Sequence, residues 1–254
     1  MAAVTRDRHI AGAGTAADAW PGDAGLASVA EAGVVDLVPP GALLVVVTPH
    51  PKDESLACGG LLQLLGARPD ARTPLLVAVT NGEASHSGSA DWPRERLRAV
   101  RPQETLAALA CLGRAAVMLR LGIADGGVTA AEANWRAGLP RCSNPATWCS
   151  RLGATTAIPI MKPPRACLAA AAQHGARTLE APIWGWHWSA PADGAMPLAH
   201  ARKLPLPAAA LARKRAAMAC FHSQVLPDAS RAAGRSRPRA GTRPPAFRTV
   251  FPRP

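Results

Sequence analysis

Ala42-Leu43-Leu44-Val45-Val46-Val47-Thr48-Pro49-His50-Pro51-Lys52-Asp53-Glu54-Ser55-Leu56-Ala57-Cys58-Gly59-Gly60 runs from an unbroken apolar segment through a polar turn into a second apolar stretch, Leu61-Leu62-Gln63-Leu64-Leu65. A short β-branched run without polar alternation is the pattern of a strand covered on both faces, as in a parallel sheet. A turn that opens into helix-like sequence makes the carboxyl end of that strand the place where side chains meet a ligand. His50 and Asp53 lie three apart in this turn, and both residue types ligate metals.

Working outward, the same unit recurs. The helix after the turn is expected over 55–66, and residues 74–80 read as a second strand ending in the turn signal Asn81-Gly82-Glu83. Leu97, Val100, Leu106, Leu109 and Leu112 have helical spacing over 94–112, with Pro102 as a kink or entry. Residues 115–121 read as a third strand, followed by the loop Asp125-Gly126-Gly127. Strand, loop and helix in repetition predict an α/β, Rossmann-like single domain, its mostly parallel sheet flanked by helices. The pattern breaks over 128–165 and returns with a helix-like 166–175, a strand at 177–183, the segment Trp184-Gly185-Trp186-His187-Trp188 and a helix over 206–221 with Arg213, Lys214 and Arg215 exposed. The expected organisation is a lead-in at 1–39, a domain at 40–227 and a basic Pro/Arg-rich tail at 228–254.

With 48% apolar residues among 254, the chain has material for a full core. The net charge of +12 admits an anionic partner, and a basic nucleic-acid-binding protein is one alternative reading. No nucleic-acid-reading motif accompanies the tail's arginines, and a coding sequence rich in G and C supplies Arg, Ala, Gly and Pro together. The six cysteines show no CxxC spacing, no apolar h-region opens the chain, and no apolar run reaches the ~18 residues of a membrane span. Free thiols in a reducing cytoplasm are therefore expected.

His50-Pro51-Lys52-Asp53-Glu54 with Gly59-Gly60 resembles the His-Pro-Asp-Asp-Glu…Gly-Gly signature of the LmbE-like (PIG-L) zinc N-deacetylases. Further blocks follow in the family's order. These are Thr80-Asn81-Gly82-Glu83-Ala84-Ser85, Arg101-Pro102-Gln103-Glu104 leading to Leu112-Gly113, Leu121-Gly122 with Asp125-Gly126, Ile183-Trp184-Gly185-Trp186-His187-Trp188 and His222-Ser223-Gln224-Val225. The resemblance implies zinc-dependent hydrolysis of an N-acyl amide on a small-molecule amino sugar or glycoconjugate. It places Zn2+ on His50, Asp53 and a distant histidine. Three protein ligands leave an open position where a bound water becomes acidic and an amide carbonyl is polarised.

Two departures from the family pattern follow. Lys52 stands at the position of the general base, where a cation does not accept a proton unless its pKa is greatly lowered. No histidine lies between His86 and His174, so the expected His-Pro-Asp-His block is missing. A catalytically impaired or dead homologue is thus the alternative to an active enzyme. The codons of Ala154–Lys162, read one frame over with third bases C, G, G, C, C, G, C, G, specify His-Asp-Gly-His-Pro-Asp-His-Glu, the missing block at its expected place. The expectation is that 128–165 is read out of frame.

Among other candidates, Trp186 and His187 suit a sugar pocket or the core at a strand end, and His86 suits a substrate-facing loop. His222 is weighed as a group near the metal against a structural helix end. Arg98 and Arg101 are candidate substrate contacts that an exposed helix face would equally explain. His9, His174 and His200 are read as surface, and Cys58 as a small buried residue beneath the site.

Overall fold

The computed structural model describes residues 14–113, 115–128, 176–228 and 230, and the backbone alone of 146–150 and 249–252. Elements are numbered in chain order among these residues. Strand β1 (Leu43–Thr48) pairs in parallel with β2 (Leu75–Ala78) on one side and with β4 (Ala146–Ser150) on the other. Strand β3 (Val117–Arg120) lies outside β2 and β5 (Arg177–Glu180) outside β4, giving the all-parallel order β3-β2-β1-β4-β5. The chain builds away from β1 in one direction and then resumes on its other side. That reversal opens a crevice at the carboxyl end of β1, where ligands of open α/β sheets bind.

The continuous apolar run of β1 is explained by its central position. Leu44 and Val46 pack into the larger core with Leu61, Leu62 and Leu65 of helix α3 (Asp53–Gly66) and with Ala108 and Leu109 of helix α4 (Arg94–Cys111). Val45 and Val47 face the other way, against Val77, Val79 and Val128. Both faces being dry, each such side chain contributes about 1.5–3 kcal/mol of transfer free energy. Helix α6 (Ala208–Ala219) closes the larger core over α3 and α4. A Cβ at Gly60 would come within 2.5 Å of Leu206, so this glycine sets how closely α3 meets the chain entering α6.

Several bounds differ from the sequence reading. Helix α3 begins at Asp53 rather than 55, so Asp53 belongs to its first turn. Pro102 lies inside α4, about two turns past its start. Residues 184–188, expected at a strand end, contain instead the short helix α5 (Gly185–Trp188). Lys214, expected to be exposed with its neighbours, is half-buried against Gly59.

The N-terminal segment has its own short helices, α1 (Ala24–Ala27) and α2 (Val34–Leu37). Leu37 and Val38 join the main core, and the Ala32 N–H donates to the Lys203 carbonyl at 3.0 Å. Lys203 lies on β6 (Ala201–Leu204), which pairs antiparallel with β7 (Thr249–Pro252). Four residues read as part of a structureless tail thus complete a second sheet. Likewise Ala146–Ser150, within the stretch that breaks the sequence pattern, supply a central strand. The helix expected at 166–175, His9, His174 and residues 151–165 lie outside the described residues, while His200 is exposed as expected.

Candidate functional site

The turn after β1 is held by backbone and by its own acids. The Thr80 N–H and Oγ1 both donate to the Pro49 carbonyl, at 3.1 and 2.7 Å, lashing the first strand's loop to the second's. Lys52 adopts φ 96°, in the left-handed region that disfavours a side chain, and its N–H donates to Glu54 Oε1 at 3.2 Å. Asp53 is buried, and its Oδ2 accepts the His50 backbone N–H at 3.2 Å. Glu54 is fully buried; desolvation pushes its carboxyl up to about 7, with the adjacent Asp53 charge adding to the rise.

The His50 ring lies between two carboxylates. Its Nδ1 is 3.5 Å from Asp53 Oδ2, and its Nε2 is 3.2 Å from Asp125 Oδ1. Asp125 comes from the loop after β3; its Oδ2 accepts the Ala84 N–H at 3.0 Å, and its own N–H donates to Glu83 Oε1 at 3.2 Å. Burial alone would raise Asp125, but the hydrogen bond and charge of His50, with the Ala84 N–H and the Arg101 charge, hold it below the usual carboxylate range. Glu83 follows β2, and the same Oε1 accepts from Arg98 Nη2 at 3.3 Å, while its buried Oε2 has no hydrogen-bond partner among the described residues. Acids from the ends of β1 and β3 therefore meet on one histidine, and Glu83 from the end of β2 holds the backbone of Asp125.

Arg101 anchors this convergence from below. It is 2% exposed, which corrects the expectation of an exposed helix face. Its Nη1 donates to the Gly82 carbonyl at 2.5 Å and its Nη2 to the Pro51 carbonyl at 2.8 Å, joining the first two strand-end loops. Burial lowers its pKa, while Asp53, Asp125, Glu104 and Glu54 oppose that shift and make a buried guanidinium tolerable. Gly82 has φ +66°, and a Cβ there would fall 1.7 Å from Arg101 Nη1, so both conformation and space require glycine. Glu104, one turn further along α4, accepts both the N–H and the hydroxyl of Ser223 at 2.7 Å.

Of the residues expected at the site, His50 and Asp53 are together and Lys52 sits half-buried between them in the turn. Arg98 reaches the cluster through Glu83, its side chain 57% exposed. His86 is half-buried at the rim, with Nδ1 2.8 Å from Ser85 Oγ and its ring 6.2 Å from that of Trp92. Trp186 meets buried Trp20 edge-on, ring centroids 5.1 Å apart, and buried His187 meets Trp184 at 5.9 Å. The His187 carbonyl accepts the Thr15 N–H at 3.0 Å, so these two residues pack with the N-terminal segment. His222 is exposed at the start of helix α7 (His222–Val225); its neighbour Ser223 makes the contact to Glu104. Sequence reasoning missed Glu83, Asp125 and the buried state of Arg101. The available signal was position, since each of the three leading strands ends in a loop bearing an acid.

Residues 45–150 match the model of the PIG-L family, described as GlcNAc-PI de-N-acetylase. That match covers somewhat less than half of the chain. Two solved structures share its fold. The N,N'-diacetylchitobiose deacetylase of Pyrococcus horikoshii, complexed with its inhibitor, superimposes with a TM-score of 0.56 at 14% identity, over 76% of this chain and 75% of that one. A triple mutant of a deacetylase in the teicoplanin biosynthetic pathway gives 0.53 at 18% identity, over 72% and 83%. No curated protein sequence matches. Among the described residues no three His, Cys, Asp or Glu side chains are placed to hold one metal ion, and no helix is long and apolar enough to cross a membrane.

The spacing of His50 and Asp53 can be compared with what a zinc ion needs of two ligands. Ligand atoms about 2.0–2.1 Å from a tetrahedral zinc lie roughly 3.4 Å apart. His50 Nδ1 and Asp53 Oδ2, at 3.5 Å, have that span. Nε2 of the same ring faces the Asp125 carboxylate, the outer partner that orients a metal-bound imidazole.

Proposed function

We propose that this chain hydrolyses the N-acetyl amide of a small amino sugar or glycoconjugate with one zinc ion held by His50 and Asp53. The observation that carries the proposal is the His50 ring set between Asp53 and Asp125 at the sheet's switch point. Zinc, when bound, supplies an acidified water and polarises the amide carbonyl. Asp125 holds the His50 ring, and Arg101 holds the two loops that carry the acids. Glu83 Oε2, buried and without a hydrogen-bond partner among the described residues, and Arg98 beside it offer an acceptor and a donor for sugar hydroxyls. His86 stands at the same rim. The third ligand would come from the displaced reading of 155–162, where the shifted codons specify histidines given third bases C, G, G, C, C, G, C, G.

Lys52 favours a second reading, in which the site persists and turnover is lost. Its ammonium cannot take the proton from a zinc-bound water while Asp53 and Glu54 stand beside it as acids. Zinc analysis together with acetate release from an N-acetylglucosamine conjugate separates the two. Zinc binding with turnover establishes the enzyme, zinc binding without turnover establishes the inactive relative, and a chain that takes up no zinc even with the His-Asp-Gly-His-Pro-Asp-His-Glu block restored refutes the metal site.

A further inference from the structure

We propose that Cys111 and Cys220 form a reversible disulfide site that staples the end of α4 to the end of α6, with a small disulfide of the glutathione class as oxidant. The two sulfurs are 3.5 Å apart, in van der Waals contact, though the residues are 109 positions apart in sequence. Both thiols are free. Closing a bond of about 2 Å asks the sulfurs to approach by about 1.5 Å. The sites are suited to that movement, because Cys111 is the last residue of α4 and Cys220 caps α6. Helix ends adjust more readily than helix interiors.

Access and acidity set the order of events. Cys111 is exposed, whereas Cys220 is half-buried with its Sγ also 3.5 Å from the Ala216 carbonyl. Burial, then the neighbouring Cys111 thiol, pushes Cys220 up to about 11, so the first attack falls to Cys111. The Cys111 thiolate attacks one sulfur of glutathione disulfide, forming a mixed disulfide and releasing one glutathione thiolate, which takes up the proton. Cys220, losing its proton, attacks the Cys111 sulfur and expels the second glutathione. Two protein thiols are oxidised, one disulfide is reduced to two thiols, and no other reactant is needed. Cys58, buried under the site at 1% exposure, is withheld from the same reagent.

The staple reinforces a junction already made by polar contacts. Glu104 on α4 binds Ser223, three residues past Cys220, and α4 also carries Arg98 and Arg101. Oxidation thus fixes the helix under the strand-end acids to the helix that covers the core, and it requires neither zinc nor amide chemistry.

The test uses the full chain, reduced, desalted and incubated with oxidised glutathione. Non-reducing digestion is expected to give the Cys111 and Cys220 peptides joined, with the melting temperature raised by about 5 °C. Dithiothreitol reverses both. Cys111→Ser and Cys220→Ser lose the linked pair and the shift, and Cys220→Ser retains glutathione on Cys111. A wild-type protein in which Cys111 stays as a stable mixed disulfide overturns the proposal, as do two thiols that remain unmodified or that link to other cysteines.

Discussion

The turn at 50–54 and the segment at 184–188 look alike in sequence, each a histidine among special residues near the end of an apolar run. Their fates differ. At the turn, Asp53 and Asp125 flank His50, Glu83 holds the backbone of Asp125, and a buried arginine lies beneath them. At 184–188 a single turn of helix lays Trp186 against Trp20 and His187 against the segment at Gly14 and Thr15. Buried charge that is costly to assemble marks a site, because it must be compensated by groups that packing alone would not select. Buried aromatic surface needs no such explanation.

That contrast is open to attack by substitution. The largest effect is expected at Arg101. Arg101→Met removes the cation from among four acids and should destabilise the fold by about 3–5 kcal/mol in denaturant titration. Its neighbour Arg98→Ala, breaking a largely exposed pair, should cost under about 1 kcal/mol. Equal losses would erase the distinction between them. Trp186→Ala should lower stability by about 2 kcal/mol through its lost packing on Trp20 and leave zinc affinity unchanged. Asp125→Asn should do the reverse, lowering zinc affinity by about 10–100-fold with little change in stability. If the tryptophan change alters zinc affinity, the segment belongs to the site after all.

A smaller effect tests the far side of α3. Burial lowers the Lys214 ammonium to about 8, below its ordinary 10.5, so the folded state sheds a proton before the unfolded state does. Between about pH 8 and 10.5 the unfolded chain binds more protons, and stability should rise with pH across that window. Lys214→Met should abolish the rise and add about 1 kcal/mol at pH 7, as the half-exposed side chain keeps part of its charge in water.

What the sequence disclosed follows the same division. Strand β1 was legible because both its faces are dry, which forces an unbroken apolar run. The meeting of His50 and Asp53 was legible because the two are close in the chain. The helix start was placed two residues late, since the left-handed Lys52 that allows Asp53 into the first turn leaves no signal in residue type. Arg101 was assigned to solvent because helical periodicity treats any charge as outward-facing. Only the sheet order, which brings Gly82, Pro51 and three acids around it, makes the opposite cheaper. For Trp186 and His187 the sequence left pocket and core both open for a matching reason, as their partners come from the other end of the chain. Strand β4 was hidden because a backbone ladder asks little of side-chain identity.

The most direct test of the central claim, that His50 and Asp53 are two ligands of one zinc ion, is zinc titration in two backgrounds. One is the chain as it stands, and the other has Thr155–Lys162 exchanged for His-Asp-Gly-His-Pro-Asp-His-Glu. The account predicts weak binding in the first, about one zinc per chain in the second, and loss of that zinc on Asp53→Asn. Tight zinc that survives Asp53→Asn, or no gain from the exchange, would contradict it.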